Sequence, residues 1–399
     1  MVKKSILLLT GLLLAAGLCA EPVLSNAVVS QRVDTNLVDL TYDLSGAGPS
    51  GATIDVELSD DSGATYNLVA SSLSGDSGSY IFNGTDKQIV WDAGSDKPDF
   101  ASDTMRFRIS ATEEWPFPVP VDVDQFVFVP AASFTMGDAQ GELANAPAHQ
   151  VSVSGFYMGK YEVTWSLWQE VRTWAVSNGY DLSGAGIGKA DTHPVHSANW
   201  YEAVKWCNAA SERAGLDPVY YLSQGGGVYR SGESAPYIDY SKQGYRLPTE
   251  AEWEKAARGG LSGKRFPWGD TISNDDANYR ANGSRSSYDV STYTTDTYHP
   301  DYDNGATPYT APVGSFAAND YGLYDTAGNL REWCNDRYDG SYYSNSPGSD
   351  PTGPTTGSKR VRRGGGWLDI ASNCRVAHRG NLNPASRNHN CGFRLVLIQ

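Results

Sequence analysis

Between residues 126 and 394, seven clusters of glycine and aromatic residues follow one another: Phe126-Val-Phe-Val-Pro130, Gly244-Tyr-Arg-Leu-Pro-Thr-Glu-Ala-Glu-Trp253, Phe266-Pro-Trp-Gly269, Tyr321-Gly-Leu-Tyr-Asp325, Gly328-Asn-Leu-Arg-Glu-Trp333, Arg363-Gly-Gly-Gly-Trp367 and Gly392-Phe-Arg394. Glycine permits backbone conformations closed to other residues, and aromatic rings supply the bulk of a core. Such a chain turns often. With 42 glycines and 20 prolines among 399 residues, many turns are predicted rather than long helices. The 40% apolar and 12% aromatic content is enough to fill a core, and the length suits about two domains. A formal charge of −15 opposes nucleic acid as a partner, because Lys and Arg supply most affinity for phosphate backbones.

Lys3 and Lys4, the apolar run Ile6 to Leu18 and the small Ala20 have the three parts of a secretory signal peptide, so residues 1–20 are read as a cleaved leader. The run is too short to span a bilayer and no later stretch is long enough, so no transmembrane segment and a secreted or periplasmic location are expected. Leu18 before Cys19 does not suit lipid attachment. Cys207, Cys334, Cys374 and Cys391 remain in the mature chain, an even number that permits disulfides in three full pairings. Cys374 with Cys391 is the preferred bond, since each lies in a short apolar segment near the C-terminus.

Residues 22–113 alternate as half-buried strands do, in Leu37-Val-Asp-Leu-Thr-Tyr42, Ile54-Asp-Val-Glu-Leu58, Gln88-Ile-Val-Trp91 and Met105-Arg-Phe-Arg-Ile109. An all-β immunoglobulin-like or fibronectin-like sandwich is expected there. Ser59 to Tyr66 reads as a hairpin turn closed by its own Asp and Ser side chains, in the manner of an Asp-box. A Pro-rich linker at 114–122 leads to a second domain at 123–399. Within that domain Thr249-Glu-Ala-Glu252 is a capping box opening a helix to about Ala257, and further helices are predicted over Trp165–Ser177 and Tyr201–Ala214.

Taken in order, the seven clusters resemble the formylglycine-generating enzyme (sulfatase-modifying factor) family over roughly the C-terminal two thirds of the chain. The resemblance implies an irregular α+β, C-type-lectin-like fold behind the sandwich domain. It also implies a calcium site at Asp325, Gly328, Leu330 and Glu332, where the resembled enzymes have Asn in place of Asp325. Calcium takes several oxygen ligands in flexible geometry, which such a glycine-bearing loop can supply. A second calcium site maps onto Asn278, Tyr279 and Asp303. Cys207 stands at a disulfide position of those enzymes, whose partner position is Leu395 here.

The resembled enzymes hold copper(I) with two cysteines, and soft thiolates are what that ion requires. Here the first cysteine position is Asp369. Counting forward reaches Cys374, but Arg375-Val-Ala-His-Arg379 and Gly392-Phe-Arg394 keep the family's C-terminal spacing, which leaves a shortened catalytic segment. Gly366 replaces an active-site Ser and Arg331 a Trp. Calcium and not copper is therefore the expected cofactor. The six histidines show no helical zinc spacing, and His193-Pro-Val-His196 reads as a turn. Arg331, Gly366, Trp367 and Arg375 are taken to line a polar groove for a polypeptide or glycan, with an internal ion-pair network as the other reading of the arginines. The function expected is that of a calcium-stabilised binding protein without the oxidase chemistry. The alternative is a formylglycine-generating oxidase, or another nonheme-metal enzyme, acting on sulfatase-type cysteine peptides.

Overall fold

A computed structural model describes residues 22–33, 35–46, 52–66, 68–81, 83–96, 105–113 and 125–398. The leader and the Pro-rich linker lie outside the described residues. The chain divides into two compact units, Met1–Pro118 and Val119–Gln399. No helix among the described residues is long and apolar enough to cross a membrane.

Alternation sets the first unit. Val38, Leu40, Tyr42 and Leu44 all point to one face of the Leu37–Ser45 strand and are buried, while the residues between them are only partly covered. That strand pairs antiparallel with Val23–Gln31 and Gly84–Asp92, and Leu73–Gly75 completes the sheet. A second antiparallel group forms where Ala52–Ser59 pairs with Arg106–Glu113, Leu68–Val69 and Gly78–Ile81. Leu40, Tyr42, Ile54, Ile89, Trp91, Phe107 and Ile109 share a single apolar cluster, so the two sheets bury their inner faces together. The Ser59–Tyr66 turn closes on itself: Ser59 Oγ donates to Asp61 at 2.6 Å, and Asp61 accepts from the Thr65 amide at 2.9 Å and hydroxyl at 2.7 Å.

Among its described residues the second unit carries three helices of eight or more residues, each started by a side-chain cap. Thr164 accepts from the Leu167 amide at the head of Trp165–Ser177, and Asn199 with Glu202 makes a full capping box before Trp200–Arg213. The expected box of Thr249 and Glu252 opens Glu250–Ala257. Thr249→Ala removes one of those bonds, so a loss of about 1 kcal/mol in urea unfolding is expected. Trp168, Val171 and Ala175 form the buried stripe of the first helix. Leu167, at the same nominal spacing, faces outward with 37% exposure.

Trp168 and Trp206 stack from adjacent helices with ring centres 5.7 Å apart, and Phe393 meets both edge-on. This cluster anchors the C-terminal segment beneath the helices. Beside it runs a four-stranded sheet in the order Gly380–Leu382, Arg360–Arg363, Arg331–Arg337, Cys391–Gly392, with the last pair parallel. The Arg331–Arg337 strand is buried along all but its final residue although it reads Arg-Glu-Trp-Cys-Asn-Asp-Arg. Buried charge on both faces of a central strand requires partners on both faces.

No disulfide joins the four cysteines, which are all free and buried. The expected Cys374–Cys391 bond is thereby corrected. Cys374 packs with Phe266, Tyr279 and Ala371, whereas Cys391 belongs to the tryptophan cluster with Cys207 and Leu395. Each behaves as a small apolar residue.

Candidate functional site

The Arg363-Gly-Gly-Gly-Trp367 turn is the keystone of the site. Gly365 has φ of +70°, and a Cβ there would sit 2.6 Å from the Cys374 sulfur; a Cβ on Gly366 would meet Asn390 Oδ1 at 2.2 Å. Only glycine lets the chain pass so close to both. The turn drives Trp367 inward to 1% exposure, where Tyr309, Tyr298 and His389 surround its ring.

Two residues later stands Asp369, which meets Arg331 in a two-pronged ion pair. Arg331 Nε and Nη2 donate to its carboxylate at 2.8 and 2.6 Å. Asn390 and Asn373 donate to the same carboxylate at 2.7 and 2.9 Å. Burial alone would raise the Asp369 pKa, but Arg331 and the two amides outweigh it and hold the group below the usual carboxylate range. Arg331 and Asp369, two of the positions expected to differ from the resembled enzymes, are thus each other's partner. Cys374 lies in an apolar cluster, and burial pushes its thiol well above the ordinary range, so the reactive thiolate is disfavoured.

The residues expected to line a polar groove face the interior. Arg331, Gly366, Trp367 and Arg375 are all buried, and Arg375 is spent on Glu142 and on the carbonyl of Ser372. The other arginines of this region turn inward as well. Arg363 binds Glu250 and Glu254, Arg379 binds Glu250 through two nitrogens, and Arg360 covers the ring of Trp200. They form an internal network.

A second polar centre collects three carboxylates around one guanidinium. Glu332 is held by Arg394 through Nε and Nη2, each at 2.7 Å, and accepts from Trp253 Nε1 at 2.8 Å. Glu162, which the sequence reading passed over, accepts from the Leu330 amide at 2.9 Å and Asn329 Nδ2 at 2.6 Å. Asp325 sits at φ of +55°, accepts from the Gly314 amide at 2.7 Å, and leaves its other oxygen buried without a partner. Burial, then the neighbouring carboxylates Asp325 and Glu332, push Glu162 well above the ordinary value. Asp325 rises to about 6, chiefly from burial.

Three carboxylates against one arginine leave an excess of negative charge in a dry place. Among the described residues, no three His, Cys, Asp or Glu side chains enclose a metal position by themselves. A cation here would need backbone oxygens too, such as those of Gly328 and Leu330 in the same loop. The spacing of Asp325 and Glu332 was visible in the sequence. Glu162 lies more than 160 residues upstream, and only the antiparallel approach of Gly159–Val163 to the C-terminal segment brings it in.

The residues of the other expected calcium site are only partly gathered. Asn278 is buried with Oδ1 unpartnered, and its Nδ2 donates to the Tyr309 carbonyl at 2.8 Å. Tyr279 spends its carbonyl on Asn274 and its hydroxyl on Asp289. Asp303 is exposed and lies against the Tyr309 hydroxyl. The carboxylate buried beside Tyr279 is therefore Asp289, not Asp303. In the His193–His196 turn the two rings serve separate partners, Thr310 and Ser197.

Residues 112–398 match the sulfatase-modifying factor enzyme 1-like domain. A formylglycine-generating enzyme of Streptomyces coelicolor is 32% identical over 310 residues, covering 71% of this chain and 93% of that protein. The formylglycine-generating enzyme of Mus musculus is 32% identical over 298 residues, covering 69% and 76%. Among solved structures, Treponema denticola variable protein 1 superposes with a TM-score of 0.54 at 30% identity, covering 68% of this chain and 94% of that one.

Proposed function

The chain belongs to the sulfatase-modifying-factor family, and from that premise we propose that it is an exported, calcium-stabilised binding protein of the family that works without the copper oxidase chemistry. The observation that carries this reading is the Arg331–Asp369 ion pair. By the resemblance, its two residues stand at positions of a tryptophan and of the first copper cysteine. Copper(I) requires soft sulfur ligands. Asp369 offers hard oxygens already committed to Arg331, Asn373 and Asn390, and Cys374 is a single thiol sunk among Phe266, Tyr279 and Ala371. These residues do not fit the ion.

Calcium does fit the carboxylate centre. Asp325, with its unpartnered oxygen, and Glu162 are the ligands the local charge calls for. Glu332 keeps a lone pair on the oxygen that faces only Arg394, and the carbonyls of Gly328 and Leu330 complete the oxygen set. Bound there, the ion supplies counter-charge and ties the Asp325–Leu330 loop to Glu162. Export rests on the leader read in residues 1–20. A polypeptide or a glycan is the ligand class proposed, with the two β-sheets of residues 22–113 as an immunoglobulin-like spacer or adhesion unit.

The second reading, an oxidase acting on sulfatase-type cysteine peptides, draws on the formylglycine-generating relatives. One experiment separates the two. The full chain is supplied with copper(I), oxygen and a peptide containing Cys-x-Pro-x-Arg, and mass spectrometry looks for the aldehyde. No aldehyde is expected, and turnover would overturn the binding reading. In the same preparation, chelation of calcium is expected to lower Tm by about 5–10 °C. An unchanged Tm would remove calcium from the proposal.

A further inference from the structure

Glu142 occupies a clamp made by two arginines. Arg265 Nη2 donates to Glu142 Oε1 at 2.7 Å, and Arg375 Nη1 donates to Oε2. Both guanidinium groups also lie against the Tyr288 ring, 5.2 and 5.7 Å from its centre. Their separation is set by the backbone, since the Val376 amide donates to the Arg265 carbonyl at 2.8 Å. The Arg375 side chain is only 7% exposed, and its Nε is fixed on the Ser372 carbonyl. The clamp is thus built into the domain before any ligand arrives.

The resident carboxylate fits this clamp poorly. Asp270, held by the Arg265 amide and Lys264, adds a more distant negative charge, but the carboxylate between the two guanidinium groups is that of Glu142. Its two oxygens serve a single nitrogen of each arginine, and Arg265 Nε is left buried with no acceptor. An unpaired charged donor is costly, and the side-on edge of a guanidinium, Nε with Nη, is made for two oxygens of one anion. A tetrahedral oxyanion presents three or more oxygens and up to two charges. It can take Arg265 through Nε and Nη2 while a third oxygen accepts from Arg375 Nη1.

Glu142 is also placed to leave. Its side chain is 39% exposed, and exposed ion pairs contribute little. Its backbone stays pinned, because the Asp138 carboxylate accepts from the amides of Gln140, Glu142 and Leu143 at 3.1, 2.6 and 2.8 Å. Only the side chain has to swing. We propose that Arg265 and Arg375 form a binding site for a tetrahedral oxyanion, phosphate or sulfate, free or as an ester on a larger ligand, and that Glu142 is its displaceable internal stand-in. The site extends the binding reading but does not depend on it, since it involves neither Asp369 nor Arg331.

Calorimetric titration of the full chain with inorganic sulfate and phosphate tests the proposal. Glu142→Gln is expected to bind either ion about tenfold more tightly than the unaltered chain, because the competing carboxylate is gone and both arginines remain. Arg265→Lys in that background keeps the charge but loses the fork, and is expected to cancel the gain. Equal binding by the unaltered chain and Glu142→Gln, or a gain that survives Arg265→Lys, would overturn it. Circular dichroism confirms that each variant is folded. A sulfated monosaccharide binding more tightly than sulfate assigns the site to an ester-bearing ligand; equal binding assigns it to the free ion. The aldehyde assay reads the wider functional proposal separately.

Discussion

Methionine in place of Arg363 is expected to cost about 3–5 kcal/mol in denaturant unfolding, a large share of an ordinary domain's stability. The Arg363 side chain is fully buried. It donates to Glu250 at 2.7 Å, to Tyr343 at 2.9 Å, to Glu254 at 2.7 Å and to the Val376 carbonyl. Glu250 retains Arg379, and Glu254 retains Arg258 at 2.7 Å and the Gly137 amide at 2.7 Å. Removing Arg363 therefore strips one counter-charge from two buried carboxylates at once, and methionine returns only the lost apolar contact. A cost below about 1 kcal/mol would mean that these carboxylates do not depend on it.

The same network sets an acid limit. Burial by itself would raise the Glu254 pKa, but Arg258 and Arg363 more than offset it and bring it from the ordinary 4.5 down to about 2. A group whose folded value lies below its unfolded value contributes stability above the unfolded pKa and loses it as pH falls through the folded one. The loss from Glu254 thus falls between about pH 4.5 and pH 2, where unfolding of the unaltered chain steepens. With Arg363→Met that window moves toward higher pH. Near pH 2 the variant and the unaltered chain differ less than at pH 7.

A double-mutant cycle on Arg331 and Asp369 is the second large effect. Arg331→Met leaves a buried carboxylate with only two amide donors, and Asp369→Asn leaves a buried guanidinium without its anion. Each is expected to cost about 3 kcal/mol or more. Together they are expected to cost less than the sum, with a coupling of about 1–3 kcal/mol. Simple addition in urea titrations would show that the two groups do not act as a pair. Arg331 has room for no other partner on its far side. Its Nη1 is buried without an acceptor against Gly380, where a Cβ would stand 2.5 Å away.

Local rules carried well where the interaction is short in sequence. Thr249 and Glu252 are three residues apart, so that cap follows from spacing and the need to satisfy the first amides of a helix. The alternation of Leu37 to Tyr42 likewise dictated which face of that strand is buried. The disulfide expectation failed because apolar surroundings near the C-terminus say nothing about which cluster each thiol joins. Cys374 and Cys391 share a short stretch of chain but not a core. The arginine-rich segment was legible as charge and illegible as direction, since a guanidinium facing solvent and one facing a buried carboxylate look the same in a string of letters.

What the amino-acid order determined alone is the set of landmarks and the family they belong to. What only the tertiary structure decided is how the charges are matched. Arg331 finds Asp369 across 38 residues, Arg363 finds Glu250 across 113, and Leu330 finds Glu162 across 168. The reason is physical. A buried charge is stable only beside an opposite charge or a donor, and where that partner sits along the chain is set by how the irregular loops close, which no local spacing encodes.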